Sequence, residues 1–299
     1  QGEGNCTRIR SQYRQNATEE SFEIFFSIDK APSFELSFLS DKNGGAARHH
    51  FSLVVEQLIE YVDANLNGRY DSFDVVVSTV EFSNVSFSNI TYANITTSEG
   101  NTVTIITTHT LDDLFTISIY IADSYTSYLN ATITPQEIKF DFKIHQYPYV
   151  NQSSQLALRT CVDTPFSVIA QLNASAEQQR LASQESRLNI SSANNFGFFS
   201  WVSNAIVDTI QRPVNVSVVS QTQQAFSSEN QTSYTQAEVV FSYARGESIL
   251  HDPKIGVVSI LGPLLPSVIP MEYLSAVYLI ACLISAVVFY GIIYFRKKV

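Results

Sequence analysis

Apolar residues at every second position constrain this chain more than any other feature. Between residues 138 and 145, Ile138, Phe140, Phe142 and Ile144 alternate with Lys139, Asp141, Lys143 and His145, the pattern of a strand with one face in a core and the other in water. Similar runs, rich in Val, Ile, Thr, Phe and Tyr, lie at 22–28, 34–39, 74–82, 102–109, 114–121, 214–220, 237–243 and 256–260. These residue types fit a pleated, half-buried surface. The breaks hold turn-formers: Asp41-Lys42-Asn43-Gly44-Gly45, Glu99-Gly100-Asn101, Pro135 and Tyr147-Pro148-Tyr149. Many short strands at regular spacing predict an all-β chain of antiparallel β-sandwich type. A boundary after the Tyr-Pro-Tyr turn would divide it into an N-terminal arm (1–20), one sandwich-like unit (21–150) and a second β-rich unit (151–262).

Two stretches read less simply. In 50–62, Phe51, Val54, Val55, Leu58, Ile59 and Val62 make a helical stripe, while the β-branched content also allows a strand, which we favour. The polar segment 174–188 admits a short exposed helix or a loop. Residues 84–98 repeat a five-residue unit, NVSFS-NITYA-NITTS. Because five is odd, successive Asn residues on one unbroken strand would face opposite sides, so bulges or bends near residues 88 and 93 are predicted to keep all three outward, the alternative being partial occupancy of a straight strand.

The two ends say where the chain resides. Residues 273–295 carry no charge, and as a helix they would reach about 34 Å, enough to cross a hydrocarbon core of roughly 30 Å. Arg296, Lys297 and Lys298 in the tail 296–299 supply the positive cytoplasmic flank, and the proline-rich 263–272 segment would form the juxtamembrane connection. Gln1 at the start, with Met271 the only methionine, suits a removed signal peptide. Acceptor sequences for N-glycans stand at Asn5, Asn16, Asn84, Asn89, Asn94, Asn130, Asn151, Asn173, Asn189, Asn215 and Asn230. Chance combination of the chain's Asn, Ser and Thr content would give about 3.5 such sites, so the excess is a property of the protein, and all eleven precede the apolar span. The expected localisation is the cell surface, as a single-pass type I membrane protein. Cys282 lies inside the span, leaving Cys6 and Cys161 either as a disulfide in an oxidising compartment or as two separate thiols.

One motif points to a bound ion. In Asp63-Ala64-Asn65-Leu66-Asn67-Gly68-Arg69-Tyr70-Asp71-Ser72-Phe73-Asp74, oxygen-bearing side chains fall at positions 1, 3, 5, 9 and 12 with Gly at 6. That spacing wraps a twelve-residue loop around Ca2+, with Asp63, Asn65, Asn67, Asp71 and Asp74 offering side-chain oxygens and Arg69 its carbonyl. The loop resembles EF-hand and dockerin-type calcium loops, ending in Asp like the dockerin form. The β-branched residues Val75 to Val77 that follow argue against a full helix-loop-helix hand, so the resemblance implies a structural calcium staple between β elements. The alternative is an Asx-rich turn without metal. With the turn-like segment 245–256, the loop resembles uncharacterised single-pass surface glycoproteins of diverse eukaryotes, a resemblance that implies no activity.

The net charge of −10 disfavours nucleic acid as a partner. No GxSxG, HExxH, paired CxxC or phosphate-cradling glycine loop is present. The histidines have no metal-ligand spacing and read as isolated surface residues, and Asp112-Asp113 beside His109 reads as a polar turn. The sequence therefore predicts a non-enzymatic, calcium-stabilised surface glycoprotein for adhesion or coat and filament assembly, whose partners are the bilayer and other surface proteins or copies of itself. The alternative is a receptor or accessory ectodomain that binds a soluble ligand and signals through a membrane partner.

Overall fold

The computed structural model describes residues 5–15, 18–42, 45–129, 131–134, 137–171, 185–191, 196–226 and 231–258. The proline-rich segment, the 273–295 span and the basic tail fall outside these, and among the described residues no helix is long and apolar enough to cross a membrane. In chain order the strands are β1 (Cys6–Gln15), β2 (Thr18–Ser27), β3 (Ser33–Lys42), β4 (Gly45–Val62), β5 (Val75–Glu81), β6 (Thr91–Thr96), β7 (Thr102–His109), β8 (Phe115–Ala122), β9 (Thr126–Tyr128) and β10 (Ala131–Ile133). There follow β11 (Glu137–His145), β12 (Gln155–Thr164), β13 (Ser167–Gln171), β14 (Glu185–Ser191), β15 (Phe196–Val202), β16 (Asn204–Val207), β17 (Ile210–Pro213), β18 (Asn215–Phe226), β19 (Gln231–Tyr243), β20 (Ser248–His251) and β21 (Lys254–Val258). One 3-10 turn, Phe82–Asn84, follows β5.

These strands build two large antiparallel sheets. The first runs β1-β2-β3-β4-β12-β19-β18, with β5 also on β4. The second runs β13-β14-β15-β21-β11-β20-β16-β17, with β8 on the other edge of β11 and then β7 and β6. Aromatic rings close the space between them: Phe34 of β3 stacks on Phe140 of β11 at 5.0 Å, and Trp201 of β15 meets Phe241 of β19 edge-on at 5.4 Å. Gly197 permits a close approach, since a Cβ there would lie 2.3 Å from the Phe51 ring. One continuous apolar core results.

That core does not divide at residue 150. Strand β12, from the second half, lies between β4 and β19, and β11, from the first half, lies between β8 and the β20 and β21 strands. The two predicted units are thus one compact unit, ending at Val258. The Tyr-Pro-Tyr turn, after which the boundary is predicted, is tied to the first sheet: Glu60 at the end of β4 accepts hydrogen bonds from the backbone N–H groups of Val150 and Asn151, and the Arg245 guanidinium lies 3.9 Å from the Tyr149 ring centre.

The helical stripe of 50–62 is a bulged strand. Opposite β12 the register shifts between Arg159 and Thr160, with Gln57 facing Arg159 and Val55 facing Thr160, so Glu56 is the extra residue. Phe51, Leu53 and Val55 point into the core before it, and Leu58 after it. Two period-two runs offset by one residue imitate helical spacing. In the 174–188 segment, 174–184 lie outside the described residues, and Glu185–Ser191 is strand β14 rather than helix or loop.

The outer face of each sheet is partly covered as well. The β9–β10 hairpin packs Tyr128 and Ile133 over Val103, Tyr120 and Ala122, and Tyr70 of the 63–74 loop packs on Ile59, Tyr61, Ala157 and Val240. Alternation along β11 therefore misleads at its first half: Lys139 and Asp141, predicted to face water, are 3% and 9% exposed, whereas Lys143 and His145 are exposed.

Candidate functional site

The 63–74 loop leaves the outer end of β4 and returns as β5. Leu66 and Gly68 hold left-handed backbone angles, φ 57° and 75°, which turn the chain tightly enough for its short polar side chains to meet. Asp63 accepts from the N–H groups of Asn67 and Gly68 at 3.1 and 2.7 Å. Asp74 accepts from those of Ala64 and Asp71 at 3.0 and 2.8 Å, tying both ends together. Asp71 receives the side-chain amides of Asn65 and Asn67 at 3.1 and 2.7 Å and the Phe73 N–H at 2.8 Å. The Phe73 N–H, then Asn65 and Asn67, hold the Asp71 carboxyl below its usual range.

The structure thus brings Asp63, Asn65, Asn67, Asp71 and Asp74 together, with Arg69 contributing its N–H to Asn67 Oδ1. Among the described residues no three His, Cys, Asp or Glu side chains are grouped to hold a metal ion. The oxygens instead accept the loop's own N–H groups in a lattice of Asx turns. The donor set is still one of hard oxygens suited to Ca2+. Loading it requires Asn65 and Asn67 to rotate their amides, replacing the nitrogens that face Asp71 by oxygens.

The loop is docked on the first sheet. Tyr70 donates its N–H to Ser242 Oγ at 2.8 Å, accepts from Ser217 Oγ at 3.4 Å, and sets its ring edge-on to Tyr61 at 5.3 Å. Asn215 Nδ2 donates to the Gly68 carbonyl at 2.8 Å. A Cβ at Gly68 would meet that nitrogen at 2.7 Å, so the glycine serves both the turn and the docking.

Of the glycan acceptors, Asn5, Asn84, Asn89, Asn94, Asn151 and Asn215 are exposed and Asn189 is half-buried, while Asn16, Asn130, Asn173 and Asn230 lie outside the described residues. Residues 85–90 form no strand, with only an isolated bridge from Phe87 to Thr110, so the chain there has no ladder for a bulge, and none occurs near residue 93, where Thr91–Thr96 pairs with β7 in continuous register. Asn94 is exposed nonetheless because β6 is an edge strand with both faces in solvent, so parity imposes nothing there.

Cys6 and Cys161 are both free, which overturns the possible disulfide. They lie on one row across the sheet, linked through Ser27, Ser33 and Val54. Four inter-strand steps of about 4.8 Å leave them about 19 Å apart, against a limit of about 7 Å between bridged Cα atoms. Burial, with Asp163 nearby, pushes the Cys161 thiol up to about 12.

Sequence reasoning missed two buried polar centres. Glu60 is completely buried and receives four donors. Lys139 contacts Asp141, lies 3.6 Å from Asp252 and sits 4.9 Å from the Tyr120 ring centre. Neither has a sequence signature: the donors to Glu60 come from distant parts of the chain, and the Lys139–Asp141 pair, two residues apart on β11, is buried by Tyr120 and the β9–β10 hairpin from other strands. His251, read as a surface residue, is 1% exposed, with Nδ1 3.0 Å from Tyr243 Oη and Nε2 3.0 Å from the Val202 carbonyl. Burial, and secondarily Lys139, lowers its pKa to about 4. The unfolded chain therefore binds a proton that the folded chain refuses, and stability should fall as pH drops from about 6.5 toward 4, by about 3 kcal/mol in total. Denaturant titrations of wild type and His251→Phe across this window check it, the variant losing that slope. His109 pairs with Asp113 at 3.4 Å across the turn at Asp113, φ 59°, in agreement with the polar-turn reading.

No protein-family model and no curated protein matches the chain. Among solved structures, the ER glucosidase II heterodimeric complex of catalytic subunit and regulatory-subunit binding domain aligns at 8% identity and TM-score 0.21, over 76% of this chain and 31% of that one. The glucosidase II alpha subunit aligns at 8% identity and TM-score 0.24, over 85% and 33%. The chain spans about a third of the length of these structures, and at such TM-scores the likeness carries neither fold nor function.

Proposed function

We propose that this chain is the outward-facing part of a non-enzymatic, N-glycosylated, membrane-anchored protein of the cell surface, used in adhesion or in building a coat or filament. The observation that carries the reading is the excess of glycan acceptors, of which six are exposed on the sandwich. Asn84, Asn89 and Asn94 are all exposed, and Asn94 stands on the edge strand β6, where a glycan would blunt an otherwise sticky sheet edge. The uncharged 273–295 segment would supply the anchor and the basic tail its cytoplasmic flank. Copies would associate through sheet edges left free of glycans.

Within this reading the 63–74 loop is a calcium staple. Asp63, Asp71 and Asp74 with the amide oxygens of Asn65 and Asn67 and the Arg69 carbonyl would form the shell, and the docked Tyr70 would pass the loop's rigidity to β12, β18 and β19. Binding only to the folded chain raises its stability by mass action. With three carboxylates, affinity should fall near 10⁻⁴ to 10⁻³ M, the order of magnitude of extracellular modules.

Material from the native source, analysed by site-resolved mass spectrometry and by melting with and without millimolar calcium, tests both parts. Expected are sugar on Asn84, Asn89 and Asn94 and a calcium-dependent rise in Tm of several degrees, abolished in Asp63→Ala/Asp71→Ala. Unmodified asparagines would refute the surface reading, and a wild-type Tm indifferent to calcium would refute the staple.

A further inference from the structure

Beside the buried Lys139 cluster the second sheet opens into a cavity of about 580 Å3, within the range of small-ligand sites. Lys139, Asp141 and Asp252 form its floor, and Asn204, Thr209 and Gln211 stand on its wall. At the rim Leu129 and Ile206 are 60% and 48% exposed. We propose that this cavity binds a small, neutral, polyhydroxylated ligand, the chemistry of a saccharide unit.

The floor's charges argue against a charged ligand. Lys139 is in contact with Asp141 and within 3.6 Å of Asp252, and Asp141 also accepts the Tyr120 hydroxyl at 2.8 Å. Two carboxylates against one ammonium repel an anion, and a cation would have to compete with Lys139 for carboxylates that are already paired. By contrast, the side chains of Asn204, Thr209 and Gln211 make no hydrogen bond among the described residues. Amides and a hydroxyl that both donate and accept suit ligand hydroxyls that do the same. The exposed rim side chains would cover the C–H face such a ligand also presents.

Backbone strain marks the same wall. The β16–β17 hairpin turns on Asp208 and Thr209, with φ 49° and 71°. Two consecutive left-handed residues are the pattern that favours Asn-Gly, and a β-branched residue in the second position is an outlier. The conformation is held by Asp208, whose carboxylate accepts the Glu247 and Ser248 N–H groups at 2.8 Å and whose N–H bonds the Ser248 carbonyl at 2.9 Å. Glycine would fit without strain but would remove a hydroxyl from the cavity wall. Strain retained where a side chain lines a cavity points to use of that side chain.

The whole chain is titrated by calorimetry and by NMR shift perturbation with glucose, mannose, N-acetylglucosamine and N,N′-diacetylchitobiose, with spermidine and citrate as charged controls. At least one saccharide should saturate, and Gln211→Ala should raise its Kd by about tenfold without changing Tm. Thr209→Gly should raise Tm and at the same time weaken binding, a combination that a purely structural turn would not give. The proposal is overturned if no saccharide saturates by about 50 mM, if spermidine or citrate binds in preference, or if Thr209→Gly stabilises the protein and leaves binding untouched.

Discussion

Replacing Glu60 by alanine should cost about 3–5 kcal/mol of folding stability, a large share of what a domain possesses. The carboxylate is fully buried at the end of β4. It accepts Val150 N–H at 3.0 Å, Asn151 N–H at 2.9 Å, Ser154 Oγ at 2.5 Å and Ser78 Oγ at 2.8 Å. Burial by itself pushes this carboxyl up, but the hydrogen bonds from Ser154, Asn151, Val150 and Ser78 outweigh it and the pKa is lowered. Alanine would leave these four donors without their shared acceptor. Glutamine keeps the shape but turns one acceptor into a donor, so Glu60→Gln should lose about 1–3 kcal/mol. A group with a lowered folded pKa stabilises above its unfolded value and ceases to do so as pH falls through the folded one, so acid should act as a partial mutation below about 4.5. Urea unfolding of the three proteins at neutral pH settles the order, and a loss below about 1 kcal/mol for alanine would mean the turn is held otherwise.

The same residue explains why the domain boundary was not legible. Tyr147-Pro148-Tyr149 has every local mark of a linker, and nothing in its composition reveals that Val150 and Asn151 are hydrogen-bonded to a glutamate ninety residues earlier in the chain. Alternation is a local signal and located the strands well: 102–109 coincides with β7, and 138–145 falls within β11. What covers a strand's second face is not local. Lys139 and Asp141 look like solvent positions until the β9–β10 hairpin is folded over β8 and β11, and Asn94 looks in need of a bulge until β6 is known to be an edge. The 63–74 loop was legible as a set of residues because its spacing is self-contained. Its docking through Tyr70 and Asn215 was not, since Ser242, Ser217 and β18 lie far along the chain.

The second large effect is expected at Lys139, and its sign depends on what is removed together. Lys139→Ala should destabilise by about 3–5 kcal/mol, because Asp141, 9% exposed, would keep its charge with only the Tyr120 hydroxyl, at 2.8 Å, and its own desolvation to contend with. Asp141→Ala should cost a similar amount by stranding the ammonium, though Asp252 at 3.6 Å softens that loss. The double replacement Lys139→Met/Asp141→Leu fills the space with apolar atoms beside Tyr120 and removes the ion pair, leaving only the part-exposed Asp252 carboxylate without its ammonium, so it should cost much less than the two single losses together. A double-mutant cycle built on these changes should therefore give a coupling of about 3 kcal/mol or more. Additive losses would mean that Lys139 and Asp141 are solvated separately and that the second face of β11 is open to water. Near-complete recovery in the double variant would show instead that the pair sits in dry surroundings. Stability is then not what the pair supplies, and the cavity it floors is where its contribution should be sought.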